Sequence, residues 1–377
     1  MTKPRILLLT HYYESHRGGV ELVAWKVACG LAAKGYQIEW AASNTDPLPP
    51  EVPGIRFMPM QAFNLVEQKL GIPYPIWSKS SKKLIQNRLQ EVDLLHIHDS
   101  LYQGNVYGAR QAAKMGKPYI VTQHIGYVPY KNPVLRTVLT VANKNVALPT
   151  LQGANGIGFV SESTQNYFKN LGLTSDKGEL IPNGVDTKLF NPEVPSDPAA
   201  FGLDPDRPIC LFVGRFVEKK GLPMIKALAE SMAGVQWALA GWGPISPEKW
   251  GLPNVTVLSN LSGPTLAPLY RSADLLIMPS VGEGFPLVVQ EAMACGTAAI
   301  VTSETAEGYL AAGAVMRSAP ANDLEAWRKM IEMLLKDRQK LRDESANILR
   351  FVRDHWSWEK CADQYDRMIC NILGTTP

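Results

Sequence analysis

The chain contains 377 residues, of which 46% are hydrophobic and 19% are charged, and its formal net charge is +3. This composition excludes a largely disordered chain, and the length exceeds one ordinary hydrophobic core, so we predict two domains. Five cysteines without a C-x-x-C pair argue against a disulfide framework, and the apolar runs are too short for a signal peptide or a membrane span.

Short apolar segments alternate with amphipathic ones along the chain, a pattern typical of parallel α/β folds. The first five strands are predicted at 5–10, 37–43, 93–98, 118–124 and 156–161. Five more are predicted at 208–215, 235–241, 254–259, 274–280 and 297–303. The segment 181–208 between the two sets is rich in Pro, Asp, Asn and Gly and is interpreted as a linker. The region 322–373 is predicted to be helical, so the fold class is α/β with two doubly wound domains.

Each predicted sheet has a candidate ligand loop after its first strand, where open α/β folds bind ligands. In the first domain, Gly18 and Gly19 precede a helix and would let a polar ligand approach its N–H groups; an ordinary turn is the alternative. In the second domain, Arg215 and Lys220 precede a helix predicted to begin near Gly221. Two cations at a helix start suit a phosphate or diphosphate, and a solvated charged turn is the alternative.

Two glutamates flank the start of another predicted helix, in the segment GEGFPLVVQEAMACG. Pro286 suits the first turn and Gly296 the stop, so Glu283 precedes the helix and Glu291 lies within it. Free N–H groups at a helix start attract an anion, whereas carboxylates accept hydrogen bonds from hydroxyl groups. A ligand with a central diphosphate and a sugar at each end satisfies both, so we predict a nucleotide-sugar site.

The same segment resembles the E-x7-E motif of retaining glycosyltransferases of family 4, and the resemblance extends along nearly the whole chain. RGGVE, DLLHIHDS, VTQH, IPNGVDTKLFNP, VGRFVEKKG and YRSADLLIMPS occur in that family's usual order. The resemblance implies a GT-B architecture, in which two Rossmann-like domains face a cleft and the last helix crosses back to the first domain. It assigns an acceptor-side domain to 1–182, a nucleotide-sugar-binding domain to 183–355 and the returning helix to 356–377.

The resemblance also implies a role for each matching residue. Glu291 would accept hydrogen bonds from the ribose hydroxyls, and Glu283 would accept them from the donor sugar. Arg215 and Lys220 would neutralise the departing diphosphate. His124 would lie near the reaction centre, although a strand-end histidine with a purely structural role is the alternative. The other implied donor contacts are with Gly19, Asn260, Leu261, Gly284, Phe285, Pro286 and Leu287.

Three further features leave alternatives open. Asp99, at a predicted strand end, is a candidate acceptor contact. His96 and His98 alternate with apolar residues, which favours a core or a cleft lining over a metal site. In the loop expected to read the nucleobase, Ser259 stands where family members usually have glycine, so the donor is predicted only as a UDP- or GDP-type nucleotide sugar.

The predicted mechanism is front-face substitution with retention, because the family supplies no evident carboxylate nucleophile. The departing diphosphate would help to remove the acceptor's proton. Two basic side chains at the diphosphate can do the work of a divalent ion, so we expect no required metal or other cofactor. We predict a hexosyltransferase-type enzyme of polysaccharide or glycoconjugate biosynthesis. A nucleotide-sugar epimerase, hydrolase or phosphorylase, or a non-catalytic sugar-nucleotide-binding partner, is the alternative.

The acceptor is predicted from the charge distribution. Residues 1–182 contain 19 Lys and Arg against 12 Asp and Glu, and no acidic residue lies between Ser100 and Ser161. This balance is consistent with an anionic acceptor, either a soluble hydroxyl compound, a glycan or a lipid-linked molecule, and the alternative is a solvated surface whose counter-charges come from elsewhere in the fold. The segment PIWSKSSKKLIQNRL contains Trp77, Lys82 and Lys83 and is a candidate for peripheral contact with an anionic membrane, although an ordinary packing helix is favoured. We expect a cytoplasmic protein, with such contact at the inner membrane face left open, and no nucleic-acid partner.

Overall fold

The computed structural model describes residues 3–16, 18–65, 67, 74–127 and 132–376. The chain forms two compact units, of which the first contains Met1–Asn183 and Trp358–Pro377 and the second contains Gly184–Ser357. The chain end therefore belongs to the first unit, as the GT-B architecture implies. Most of the proline-rich segment predicted as a linker is part of the second unit.

The first unit is built on a parallel sheet with the strand order β3-β2-β1-β6-β7-β8-β9 in the described residues. Its strands are β1 Arg5–Leu9, β2 Gln37–Ser43, β3 Ile55–Met60, β6 Leu94–His98, β7 Tyr119–Gln123, β8 Gly156–Phe159 and β9 Gly178–Leu180. A small antiparallel hairpin pairs β4 Ala62–Phe63 with β5 Ile76–Trp77. The helices are α1 Gly19–Ala33, α2 Lys79–Glu91, α3 Gln103–Lys114, α4 Pro133–Ala142, α5 Leu148–Gln152 and α6 Glu162–Leu171, with a π-helical segment Asn143–Ala147 between α4 and α5.

The final helix, α14 Trp358–Leu373, packs on α1 of the first unit. The helices approach closely at Gly30, where an added Cβ would lie 2.7 Å from the Cβ of Ala362. At the same interface, the carboxylate of Asp366 accepts a hydrogen bond of 2.6 Å from the Tyr36 hydroxyl and pairs with the Lys3 ammonium at 3.2 Å. Close packing and a buried polar contact therefore fix the chain end to the first unit.

The second unit contains a parallel sheet with the order β12-β11-β10-β13-β14-β15 among its described strands. These strands are β10 Ile209–Arg215, β11 Gln236–Trp242, β12 Val255–Leu258, β13 Leu275–Met278, β14 Ala298–Thr302 and β15 Arg317–Ala319. Its helices are α7 Leu222–Ser231, α8 Ala267–Ser272, α9 Leu287–Ala294, α10 Ser303–Glu307, α11 Leu324–Leu335, α12 Arg338–Asp343 and α13 Ser345–His355. In the part of the chain that is described, no helix is long and apolar enough to cross a membrane.

Three strands of these sheets were not predicted from the sequence, namely β3, β9 and β15. Each lies at the edge of its sheet. Strands β9 and β15 have only three residues, and β3 alternates buried with exposed positions and contains a proline. Edge strands are short and partly polar, so they lack the continuous apolar run that identifies a buried parallel strand.

Candidate functional site

The turn after β10 brings two cations to the carboxyl end of the second sheet. Arg215 is the last residue of β10, and its side chain is exposed. Lys220 ends a 3-10 turn, Glu218–Lys220, that leads into α7. Gly221 has φ +79°, and an added Cβ would overlap the carbonyl oxygen of Pro279. Only glycine permits this close approach, which places the turn against the loop after β13.

Lys220 contacts one of the two predicted glutamates. Its ammonium lies 2.7 Å from Oε1 of Glu283, which also accepts a hydrogen bond of 3.2 Å from the Ser280 hydroxyl. Burial opposes ionisation of this carboxyl group, but the nearby ammonium holds the pKa of Glu283 below its usual value. Glu283 is therefore an ionised acceptor at neutral pH, held at the start of the loop before α9.

The backbone after Glu283 presents donors that are not used within the protein. Pro286 is the N-cap of α9, and the helix itself begins at Leu287. Among the described residues, the N–H groups of Gly284, Phe285 and Leu287 have no acceptor. The Tyr309 hydroxyl donates to the Gly284 carbonyl at 3.1 Å, which fixes the peptide. Unpaired donors at a helix start form a site for an anionic group.

The ring of Phe285 supports this loop by packing against two other aromatic side chains. Its centroid lies 4.1 Å from that of Tyr309 and 5.5 Å from that of Trp356, in edge-to-face arrangements. Phe285 is buried in this aromatic cluster. We therefore interpret its side chain as a support for the loop, so that its backbone N–H is the group available to a ligand.

Glu291 has a different environment from Glu283. It lies on the second turn of α9 and accepts a hydrogen bond of 2.8 Å from the hydroxyl of the buried Tyr270. Burial raises the pKa of Glu291 to about 7. The two carboxylates therefore differ at neutral pH, since Glu283 is ionised and Glu291 is close to its midpoint.

The loop after β12 contains the residues predicted to meet the nucleobase. Asn260 has φ +60°, a left-handed conformation that asparagine tolerates better than most residues. Ser262 and Thr265 then form a capping box that fixes the following turn. Ser259 has no positive φ. The departure from the usual glycine at that position therefore introduces no backbone strain, and the special conformation is at the next residue.

In the first unit, the predicted glycine loop is accompanied by a buried contact between a histidine and a glutamate that the sequence did not predict. The carboxylate of Glu21 folds back against Gly18, where an added Cβ would overlap it. The same carboxylate lies 2.7 Å from Nε2 of His11, and both side chains are buried. Although burial opposes ionisation, His11 keeps the pKa of Glu21 below its usual value. A glutamate three residues after a helix N-cap is the signal that identifies this arrangement.

This carboxylate changes how the Gly18–Gly19 loop is interpreted. A negative charge at the start of α1 already complements the positive end of the helix. Gly19 itself has open space around the position of an added Cβ. The contact of Gly19 with a donor phosphate stays a prediction, and any such phosphate shares the loop with a buried anion.

The histidines at the carboxyl ends of β6 and β7 form a buried pair. Nδ1 of His98 lies 3.0 Å from Nε2 of His124. Burial lowers the pKa of His124 to about 3 and that of His98 well below its ordinary value, so both rings are neutral. His96 is also buried and lies 2.7 Å from the hydroxyl of Thr122. Among the described residues, no group of His, Cys, Asp or Glu is arranged to hold a metal ion.

Asp99 lies at the end of β6 in a strained conformation, with φ +71°. Its carboxylate accepts a hydrogen bond of 2.6 Å from the amide of Gln123, and it is buried. Burial raises the pKa of Asp99 to about 6. Strain of this kind is often found at functional sites, but the contact with an acceptor stays a prediction.

The structure therefore brings Lys220, Glu283 and the loop N–H groups together at the carboxyl end of the second sheet, and Glu291 lies on the helix that follows this loop. His124, Asp99 and Gly19 belong to the other unit. The chain matches the family model described as Glycosyltransferase Family 4 over residues 17–189 and that described as Glycosyl transferases group 1 over residues 207–337. A D-inositol 3-phosphate glycosyltransferase of Mycolicibacterium smegmatis is 30% identical over 412 residues, covering 96% of this chain and 88% of the relative.

The chain belongs to glycosyltransferase family 4. The resemblance of its motifs is confirmed, and the protein is a nucleotide-sugar-dependent glycosyltransferase. Among solved structures, sucrose-phosphate synthase from Thermosynechococcus elongatus has a TM-score of 0.79 at 21% identity, covering 99% of this chain and 100% of that chain. HepE of Anabaena in complex with UDP-glucose has a TM-score of 0.72 at 17% identity, covering 98% of this chain and 100% of that one. These likenesses confirm the GT-B fold with two Rossmann-like units.

Proposed function

We propose that this family 4 member is a retaining hexosyltransferase that transfers a sugar from a UDP- or GDP-type donor to a hydroxyl acceptor. The observation that carries the proposal is the pairing of Lys220 with Glu283 beside unused N–H groups at the start of α9. A cation from one loop, together with a carboxylate and free backbone donors from the adjacent loop, matches a phosphate linked directly to a sugar. Glu291, within the helix, matches the ribose of the same donor.

Donor binding in this proposal exchanges one ion pair for another. The donor diphosphate lies against the N–H groups of Gly284 to Leu287 and accepts from Arg215 and Lys220. The Lys220 ammonium then shares its charge between the phosphate and Glu283. Part of the Glu283 carboxylate is then free to accept hydrogen bonds from hydroxyls of the donor sugar. The charges of Arg215, Lys220 and Glu283 therefore all have partners only when a donor with both its diphosphate and its sugar is bound.

In the proposed chemical step, the leaving diphosphate acts as the base and no side chain of the protein acts as a nucleophile. Glu283 is held by Lys220 and Ser280, which suits a hydrogen-bond acceptor for the sugar better than attack at its anomeric carbon. We therefore propose front-face substitution, in which a diphosphate oxygen takes the acceptor's proton as the new glycosidic bond forms on the face that the leaving group vacates. Arg215 and Lys220 stabilise the charge that grows on the diphosphate, and no metal is required.

His124 contributes to this step as a neutral group. Its ring is fixed by the hydrogen bond to His98, and its low pKa keeps it uncharged at neutral pH. A neutral imidazole beside a developing oxocarbenium-like centre adds no positive charge that would oppose it. We propose that His124 orients the donor sugar and that Asp99 contacts the acceptor.

The acceptor is proposed to be anionic. The charge balance of residues 1–182 is positive, and the residues between Ser100 and Ser161 include no acid. The relative of Mycolicibacterium smegmatis is named for an inositol phosphate, which is an anionic hydroxyl compound. Either a soluble phosphorylated polyol or a lipid-linked phosphate fits this chemistry.

A donor panel tests the proposal against its alternatives. The protein is incubated with radiolabelled UDP- and GDP-sugars, with and without phosphorylated polyol or lipid acceptors, in the presence of EDTA. Label that moves to an acceptor supports the proposal. Free sugar without acceptor dependence indicates a hydrolase, an isomerised donor indicates an epimerase, and binding without turnover indicates a non-catalytic partner.

A further inference from the structure

The helix α4 exposes an apolar face that no described residue of its own unit covers. No residue of α4 is buried. Val134, Val138 and Val141 are 69%, 57% and 53% exposed. Their spacing of four and three residues places all three on one side of the helix. Scattered exposed valines are ordinary, but an exposed stripe along a whole helix marks an interaction surface.

The helix α4 projects from the sheet because the segment that follows it packs into the buried core, whereas α4 itself does not. Ala147 and Leu151, in the π-helical segment and α5, belong to the buried cluster between the sheet and its helices. The helix α4 follows β7, so it begins at the carboxyl edge of the sheet, and the chain returns through α5 to start β8. The anchored part therefore lies beside the sheet and α4 extends from its carboxyl edge.

The first turns of α2 lie at the same edge and on the same side of the sheet. The helix α2 ends at Glu91, just before β6 begins at Leu94, so its first turn is at the carboxyl end. Ile85 and Leu89 of α2 join the same buried cluster as α5. The start of α2 therefore lies in the same layer as α5 and at the same edge of the sheet as the start of α4.

The hairpin before α2 adds apolar side chains, but not the one predicted. Trp77 is 2% exposed and packs against Gly104 of α3, so it is unavailable to a membrane, because it is part of β5 and not of a surface helix. Its neighbour Ile76 is exposed and pairs across the hairpin with Phe63, which is 58% exposed. The lysines that follow, Lys79 and Lys83, are exposed.

The charges of this edge select the partner. In the segment after α4, Lys144 is exposed, whereas Arg136 lies on the side of α4 away from the valine stripe, in a groove that is also lined by Tyr127, Thr137, Thr140 and Val141. The acid nearest the hairpin in sequence, Glu67, is already paired with His16 at 3.3 Å. Cations at the margin of an apolar stripe are the pattern of helices that lie in the headgroup region of an anionic bilayer.

We propose that the α4 face, together with the hairpin and the first turn of α2, docks the first unit on an anionic lipid bilayer. The valines and Phe63 enter the acyl boundary, while Lys79, Lys83 and Lys144 contact lipid phosphates. The helix α4 is the apolar anchor and α2 supplies long-range attraction. The proposal does not depend on the donor chemistry, since nothing in it involves the second unit.

Vesicle co-sedimentation tests this surface. We compare vesicles of equal parts phosphatidylglycerol and phosphatidylcholine with vesicles of phosphatidylcholine alone. The full chain should bind the anionic vesicles and release from them at high salt. The double variant V134S/V138S should bind about tenfold less or weaker still, because two exposed apolar side chains are removed. The variant K79Q/K83Q should lose binding mainly at moderate salt, where long-range attraction counts most.

A matched control distinguishes binding through this surface from non-specific binding to vesicles. The variant M333S/K336Q removes one exposed apolar side chain and one exposed cation from the second unit and should bind as the original chain does. Equal binding of the original chain and V134S/V138S, or equal binding to both vesicle types, overturns the proposal. Sedimentation velocity without lipid provides the other decisive outcome: a dimer that V134S/V138S disrupts would assign the face to a second copy. Circular dichroism and thermal unfolding of V134S/V138S, measured separately, show that the variant is folded.

Discussion

The two glutamates of the E-x7-E segment are chemically different groups. Glu283 is paired with a lysine and is ionised, whereas the carboxyl group of Glu291 has a tyrosine hydroxyl as its hydrogen-bond donor and a pKa of about 7. A ribose diol donates hydrogen bonds, and these favour the ionised carboxylate. Binding of a nucleotide should therefore lower the pKa of Glu291 and release a proton.

This difference predicts a pH dependence of nucleotide affinity. Because the protonated form of Glu291 offers fewer acceptor sites, nucleoside diphosphate affinity should rise as the pH increases through about 7. Calorimetry at pH 6 and pH 8 measures the change. The diphosphate itself also titrates, so the Glu291→Gln variant provides the baseline. Identical pH profiles for the two proteins would show that Glu291 does not meet the ribose.

The cations are predicted to act on the leaving group. Arg215→Ala or Lys220→Ala should lower kcat by ~10²-fold or more, the scale for losing one preorganised charge contact. Lys226→Ala, which removes an exposed cation of α7 with a surface partner at 3.6 Å, is the matched control and should keep full activity. Steady-state rates at saturating donor decide between these outcomes, and full activity in both site variants would refute the assignment.

At the scale of elements, the sequence predicted the central strands and one edge strand, β12, and missed the other three edge strands. The runs of β1, β6, β10 and β13 are largely buried and were predicted with small errors at their ends. The edge strands β3, β9 and β15 were missed because they are short or half-exposed and carry polar residues or a proline. Start and stop signals also predicted α9 to within one residue, since Pro286 and Gly296 have unambiguous conformational roles.

The candidate site was predictable where it depends on local chain chemistry. The loops at the carboxyl ends of β10 and β13 contain the predicted cations and glutamates. The pairing of His11 with Glu21 was missed because it joins a strand end to the next helix, and only the fold shows the contact. Trp77 was misplaced because a tryptophan beside lysines has no local signal that distinguishes a buried hairpin residue from a surface anchor.

The backbone conformation at Gly221 predicts how a side chain at this position would affect the stability of the β10–α7 connection. Its φ of +79° and the adjacent Pro279 carbonyl exclude a side chain. Gly221→Ala should therefore cost about 1–3 kcal/mol of unfolding free energy and displace Lys220 from Glu283, with loss of activity. Gly234→Ala, where an added Cβ meets nothing within 4 Å, is the control and should be tolerated. Denaturant unfolding of both variants measures the difference, and equal stability would contradict the tight packing of this turn.

For the whole molecule, the family could be predicted because its motifs occur in order over both units. The chain passes from the first unit to the second after residue 183 and returns after residue 357, so that the terminal helix completes the first unit. The proposed nucleotide contacts of Arg215, Lys220, Glu291 and the loop N–H groups, by contrast, all lie in the second unit. The two halves of the reaction are therefore predicted to be separable, so that nucleotide binding tolerates changes in the first unit that abolish transfer.

One measurement tests the central claim of sugar transfer with retention. The protein is mixed with a ¹³C-labelled α-linked UDP- or GDP-sugar and an anionic hydroxyl acceptor, and the reaction is followed by NMR. We predict that an α-linked product and the nucleoside diphosphate appear in equal amounts from the earliest times. A β-linked first product would contradict retention, and free sugar, an isomerised donor or no turnover with any such pair would contradict the transferase assignment.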